Sequence, residues 1–310
     1  MSHETMHIIR SLDALSTLPR PLVTAIGVFD GVHLGHQQVI SICRENARRE
    51  NADAWVMTFD PHPLRVVMPD SAPPLLTTLP ARLDILSGTG IHGCIIVPFT
   101  PAFAQLEPES FLEELVRRIP KLRGIVIGEN WRFGRRARGN VELLRELSRS
   151  LDFHVNVASP VLRGGKTISS TRIREAVISG NLEDASAMLG RPHSVCGPVI
   201  HGMKRGRRLG FPTANIDVTG CALPPPGIYA AKVNMDGRIF KGALYLSAHP
   251  EPQHGAMEVH LLEYTGDLYG KTLTTSFIAR IRDDDRRFDD ERDLIRQIRD
   301  DVEHIREALK

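Results

Sequence analysis

The chain is poor in cysteine and in aromatic side chains, and its charges nearly cancel. The four cysteines, Cys43, Cys94, Cys196 and Cys221, form no C-x-x-C pair and have no histidine at metal-finger spacing. That excludes a zinc finger and a disulfide scaffold and fits reduced thiols. A net charge of +2, from 39 basic and 37 acidic residues, makes no field suited to a dedicated nucleic-acid binder, so any anion must be held by local groups. No apolar run approaches the length of a bilayer span. The opening stretch MSHETMHIIRSLDALSTLPR carries an acid early and has no continuous apolar core. Neither a membrane partner nor a secretory signal is expected, and the cytoplasm is the expected location. Internal repeats and low-complexity tracts are missing as well.

What remains is an ordinary mixture, 42% hydrophobic and 25% charged over 310 residues, enough for two cores. From Pro21 to about Ala158, short β-branched runs such as LVTAIGVF, AWVMTFD, GCIIVPF and GIVIGE alternate with amphipathic stretches such as HQQVISICRENARREN and VELLRELSRS. This alternation predicts βαβ units around a parallel sheet, a doubly wound α/β domain. A helix capped by Ser169 or Ser170 then runs to Gly180, and a shorter one ends at Gly190. After Arg191-Pro192 glycine and proline become frequent, and two strands flank Asp236-Gly237, a hairpin signal. MEVHLLEY and KTLTTSFIARI add strands, which predicts a small antiparallel barrel. In the last segment Leu294, Ile298, Val302, Ile305 and Leu309 share one helix face, suited to packing on that barrel.

Several strings carry chemistry. GVFDGVHLGH (27–36) follows a buried strand and opens a helix, where backbone N–H groups and the helix dipole favour an anion. His33 and His36 can add donors there, and Gly35 keeps a Cβ out of the way of a phosphate. ISSTRIR (168–174) brings Ser169, Ser170, Thr171, Arg172 and Arg174 to another helix start, a second anion clamp. In GRRLGFPTANI (206–216), Gly210 and Pro212 fix an irregular backbone, while Thr213 and Asn215 offer oxygens suited to Mg²⁺ or phosphate. Each string also has a plainer reading: two satisfied histidines in a turn, a serine-capped helix with solvated arginines, a loop entering a barrel strand. Glu258 alone reads as a strand carboxylate facing solvent. The arginine-rich GRRARG (134–139) and KRGRR (204–208) read as solvated turns or phosphate flaps.

Taken together, GVFDGVHLGHQ, TFDPHP, IGENWRFG and ISSTRIR, in this order, resemble the FAD synthetase module of the bacterial bifunctional riboflavin kinase/FAD synthetase family. G-F-P-T-A-N, between GPVIHGMKRGRRL and PPPGIYAAKV, resembles its riboflavin kinase module. The resemblance implies a Rossmann-like nucleotidyltransferase domain over 1–188 and a six-stranded riboflavin kinase barrel with a C-terminal helix over 189–310. It implies riboflavin, FMN and ATP as substrates and Mg²⁺ as the metal; a homo-oligomer is left open. By the same resemblance His33 and His36 contact ATP phosphates, alongside Gly27, Phe29, Asp30 and Gly35. Ser170, Thr171, Arg172 and Arg174 hold the triphosphate. Asp60, His62, Asn130, Arg132 and Phe133 line the flavin side. In the second half Gly210, Phe211 and Pro212 bind nucleotide, Thr213 and Asn215 hold Mg²⁺, and Glu258 is the base for the riboflavin 5′-hydroxyl. The chain departs from the family in having Val28, Asn130-Trp131 and YLSAHPE (245–251). The last puts Tyr245, Ser247, His249 and Glu251 where the family usually has Asn, Gly, Arg and Thr, and leaves open an FAD synthetase with an impaired kinase half. A flavin-sensing protein without turnover is the remaining alternative.

Overall fold

A computed structural model describes residues 6–119, 121–202, 205–251, 255–284 and 288–310. The chain forms two compact units, Met1–Pro73 with Arg82–Ser169, and Pro74–Ala81 with Ser170–Lys310.

The strands of the first unit are β1 (His7–Ile9), β2 (Leu22–Ile26), β3 (Asp53–Asp60), β4 (Gly93–Pro98), β5 (Leu122–Gly128) and β6 (His154–Ala158), with a small hairpin of β7 (Leu162–Arg163) and β8 (Lys166–Thr167). Its helices are α1 (Leu34–Arg49), α2 (Pro63–Val67), α3 (Leu79–Ser87, from Arg82 on), α4 (Pro108–Arg118) and α5 (Val141–Ser150). The six-stranded sheet has the order β1-β4-β3-β2-β5-β6 and is parallel throughout. β2 is central, and all five of its residues are buried, as expected for a strand covered on both faces. Val39, Ile40, Cys43 and Ala47 of α1, Phe111, Leu112 and Leu115 of α4, and Val141 and Leu144 of α5 supply buried helix faces. Outward from β2 the chain builds β3 and β4 to one side, then β5 and β6 to the other. The reversal opens a crevice at the carboxyl ends of β2 and β5, the place where such sheets take ligands. The edge strand β1 carries no periodicity of its own at three residues and was not anticipated. None of the four cysteines is in a disulfide among the described residues, and burial pushes the Cys43 and Cys94 thiols up to about 12, so they stay protonated.

The second unit contains α6 (Ser170–Ile178), α7 (Leu182–Leu189), β9 (Ser194–Ile200), α8 (Arg205–Arg208), β10 (Ala214–Ile216), β11 (Gly227–Met235), β12 (Arg238–Glu251), β13 (Gly255–Leu261), β14 (Thr272–Asp283) and α9 (Glu291–Ala308). α7 is capped by Asn181 and stopped by Gly190 in the left-handed region, as the sequence indicates. The strands close into a barrel, β10-β13-β12-β11-β14-β9, with the expected hairpin turn at Asp236 and Gly237. Tyr229, Val233, Leu244, Leu246, Met257, Val259 and Phe277 belong to its core. α9 covers the outside of the barrel, packing Val302, Ile305, Leu309 and Ile298 on Ala230, Ala243 and Ile278. Leu294 is half-buried and lies outside that cluster.

α9 is also held by a buried ion pair. Asp301, 4% exposed, accepts from Arg282 Nε at 2.9 and 3.0 Å, from Arg282 Nη2 at 2.9 Å and from Gln297 Nε2 at 2.9 Å. Removing one partner strands the other, so Asp301→Ala is expected to cost about 3 kcal/mol, with Arg282→Met in the same chain recovering part of it. Melting temperatures of the single and double variants check this.

Candidate functional site

The turn after β2 is tight and strained. Phe29 and Val32 have φ of 53° and 40°, a region that costs a non-glycine residue about 1–3 kcal/mol. Burial holds them, with Phe29 1% and Val32 0% exposed, as do hydrogen bonds from Val32 N to Phe29 O (3.1 Å) and from Gln37 Nε2 to Val32 O (2.9 Å). The turn delivers His33 to the N-cap of α1, where its Nδ1 accepts the His36 N–H at 3.3 Å. With Nδ1 an acceptor, the proton of the neutral ring sits on Nε2, leaving that nitrogen as a donor. The His33 and His36 rings stack at 3.6 Å, and Phe29 meets His36 edge-on at 5.1 Å. Gly35 makes this stack fit, since a Cβ there would lie 3.1 Å from the His33 ring. Gly27 lies at the root of the turn, donating its N–H to Met57 O at 3.1 Å. Asp30 is 2% exposed. The spacing of H-x-G-H is thus a capped, stacked pair at a helix start beside the switch crevice.

Around the ends of β3 and β5 the scarce aromatic residues gather. Phe59, Phe99, Phe103, Phe111 and Phe133 form a chain of ring contacts at 5.5 to 6.1 Å, and Trp131 stacks on Phe133 at 4.5 Å. Asp60 is exposed at the end of β3, and His62 caps α2 through its Nδ1, which accepts from Leu64 N at 3.2 Å. Asn130 and Arg132 are exposed. The GRRARG loop faces solvent, as one reading of the sequence held, and is pinned: Arg135 and Arg138 both pair with Glu107, at 3.2 and 2.6 Å. One residue that the sequence did not mark is Arg82, 1% exposed, whose Nη1 donates to Val28 O (3.0 Å), Thr58 Oγ1 (3.1 Å) and Phe59 O (3.4 Å). In ARLDILSG it reads as one more charge on an amphipathic helix. A cavity of about 550 Å³ in this unit lies elsewhere, at the opposite end of the sheet among Arg20, Arg44, Arg48 and His92.

In the second unit, α6 begins at Ser170, so Ser169 stands just before its first turn and Thr171 is exposed within it. Arg172 lies 3.7 Å from Asp184, and Arg174, 8% exposed, donates its Nε to Pro74 O at 2.6 Å. On the barrel, Asn215 faces Glu258 across β10 and β13, and Glu258 faces Tyr245 across β13 and β12. Their chain neighbours Ala214, Ile216, Leu244, Leu246, Met257 and Val259 belong to the core. Strand alternation therefore puts Asn215, Glu258 and Tyr245 together on the outer wall. Thr213 Oγ1 donates to Glu258 Oε2 at 2.8 Å.

Asn215 is 6% exposed, and its Oδ1 is a buried oxygen without a hydrogen-bond partner among the described residues. Gly202 permits the close approach of its amide, for a Cβ there would fall 2.0 Å from Asn215 Nδ2. Thr213 and Asn215 border a cavity of about 260 Å³ with Arg207, Tyr264 and Tyr269. Pro212 offers its carbonyl to His260 Nδ1 at 2.8 Å, Gly210 turns the chain with φ of 87°, and Phe211 packs beside the α9 cluster. Tyr245, half-buried, donates to Asp284 at 3.0 Å; burial first, and the Asp284 and Glu258 charges after it, push the phenol's pKa up. Of the other departures, the side chains of His249 and Glu251 lie outside the described residues, as does Lys204 of the KRGRR cluster. An unpartnered amide oxygen, a hydroxyl and a carboxylate on one wall are hard oxygen donors, and this set fits Mg²⁺. Among the described residues no group of three His, Cys, Asp or Glu could hold a metal by itself, so most ligands would come from substrate phosphates and water.

A parallel sheet with donors at its switch point, joined in one chain to a barrel with an oxygen-rich wall, defines a two-part nucleotide-dependent transferase. The FAD synthetase family matches residues 15–172 and the riboflavin kinase family residues 189–309. The chain is 33% identical over 285 residues to the bifunctional riboflavin kinase/FMN adenylyltransferase of Escherichia coli K12, covering 91% of each. It is 32% identical over 307 residues to that of Bacillus subtilis 168 (96% of each), and 34% identical over 302 residues to that of Haemophilus influenzae Rd (96% and 97%). The chain therefore belongs to the bifunctional riboflavin kinase/FMN adenylyltransferase family. A crystal structure titled as a macrolide-efflux protein from Streptococcus pneumoniae matches with a TM-score of 0.83 at 28% identity, over 98% of this chain and 99% of that one. Among the described residues of this chain no helix is long and apolar enough to cross a membrane.

Proposed function

We propose that the chain phosphorylates riboflavin to FMN on its barrel and adenylylates FMN to FAD on its α/β domain, with Mg²⁺-ATP as co-substrate in both reactions. The functional division falls at 188/189, and the protein works in the cytoplasm. The observation that carries the reading is the stacked imidazole pair capping α1 at the mouth of β2, a donor array without an enzyme nucleophile. Adenylylation needs none: the FMN phosphate attacks the α-phosphorus of ATP, and pyrophosphate leaves. The protein positions the two and neutralises growing charge. His33 Nε2, His36 and the N-terminal end of α1 supply donors to the ATP phosphates. The aromatic rings near Phe59, Trp131 and Phe133 suit a planar isoalloxazine, with Asp60, His62, Asn130 and Arg132 at its rim. Ser170, Thr171, Arg172 and Arg174 serve the triphosphate.

On the barrel, Glu258 accepts the proton of the riboflavin 5′-hydroxyl as that oxygen attacks the γ-phosphorus of ATP and ADP leaves with the β–γ bridging oxygen. The Thr213 hydrogen bond orients the carboxylate. Thr213 and Asn215 would hold Mg²⁺, which when bound neutralises phosphate charge. A second reading, adenylylation with a weakened kinase, draws on Tyr245, whose phenol stands beside Glu258 and is tied to Asp284. Chromatography of products from riboflavin with Mg²⁺-ATP, and separately from FMN, decides. FMN followed by FAD is the expected result. FAD from FMN alone would favour the weakened kinase, and flavin binding without ATP consumption would leave only a sensor.

A further inference from the structure

Arg82 is among the largest side chains fully enclosed by protein among the described residues. A cation in that position is costly to keep, and burial pulls its pKa down while the Asp30 and Asp60 charges pull it back up. An arginine nonetheless stays protonated, so its hydrogen bonds are charge-assisted. They go to two different strand ends. Val28 O belongs to the strained turn that leads into His33, whereas Thr58 Oγ1 and Phe59 O belong to the last residues of β3, just before Asp60 and His62. Thr58 Oγ1 itself donates to Val28 O at 2.9 Å and so closes the triangle. A leucine or methionine would fill the same volume more cheaply if packing were all that was required.

We infer that Arg82 is a positioning residue for adenylylation: its guanidinium clamps the nucleotide-bearing turn 27–36 to the flavin-bearing segment 58–63 and sets the distance between the two reactants. The inference rests on the adenylylation reading and adds to it a residue that touches neither substrate. In-line transfer depends steeply on the separation of attacking and attacked atoms. Loosening the clamp therefore acts on both substrates of one reaction and on neither substrate of the other.

The test uses the full chain with Arg82→Met, which keeps the volume and loses the donors, and Arg82→Lys, which keeps the charge but gathers its donors on a single nitrogen. For Arg82→Met, kcat/KM of FAD formation is expected to fall about 100-fold, with KM raised for both ATP and FMN, and Arg82→Lys to recover about tenfold of that loss. Formation of FMN from riboflavin should stay within about twofold of wild type in both variants. Should Arg82→Met not fold, Arg82→Lys alone carries the test through its own roughly tenfold deficit in FAD formation. Unchanged FAD formation in whichever variants fold overturns the inference. So does parallel loss of both activities with a lowered melting temperature in Arg82→Lys, which would make Arg82 a residue of the core only. If the wild-type chain forms no FAD from FMN, the underlying reading fails instead.

Discussion

Glu258→Gln is expected to reduce formation of FMN from riboflavin by about 10²- to 10⁴-fold, the range that a positioned general base contributes, and to leave adenylylation of supplied FMN untouched. The substitution is close to isosteric. Its amide oxygen still accepts from Thr213 Oγ1, now 2.8 Å from Glu258 Oε2, so the wall of Thr213, Asn215 and Tyr245 has no reason to rearrange. What is lost is the capacity to take a proton from the flavin alcohol. Separate assays of the two steps give the result directly. A kinase rate within tenfold of wild type, about 1.4 kcal/mol of barrier, would remove Glu258 from the role of base.

His36→Ala is expected to do the converse, lowering FAD formation by about 10²- to 10³-fold, the cost of one preorganised donor, while FMN formation continues. The backbone N–H of residue 36 survives in alanine, so it still caps onto His33 Nδ1, and α1 keeps its start. The imidazole lost is one half of the 3.6 Å stack and a neighbour of Phe29 at 5.1 Å. His33 then retains its tautomer but not its packing partner. KM for ATP should rise together with the fall in kcat, because the donor acts on phosphate oxygens before and during transfer. Loss of both activities in either variant would contradict separate sites.

Much of this was legible because local signals and tertiary demands agree. β2 announced itself as an almost unbroken apolar run, and the α1 start by H-x-G-H after it. The hairpin was marked by Asp236-Gly237, and the α9 face by its apolar spacing. Elements that went unread have identifiable reasons. β9 contains Gly197 and Pro198, which dilute any strand signal, and β10 is only the three residues that close the GRRLGFPTANI string. Arg82 was invisible because a buried cation and a solvated one look alike in sequence; only the strand order brings Val28, Thr58 and Phe59 within its reach. The strain at Phe29 and Val32 was equally hidden, since neither residue type suggests positive φ. Tyr245 showed itself as a departure from the family, and the register across β12 and β13 is what sets it beside Glu258.

The closed order of the barrel has a further consequence. A ring of strands offers no rim from which to peel, so its amides can exchange with solvent only when two neighbours part together and the circuit opens. The three-residue β1, pinned along one side to β4, has a rim and little else. Asn215 and Glu258 sit on strands of that ring, with Thr213 at the entry to β10, so parting the wall requires the circuit itself to open.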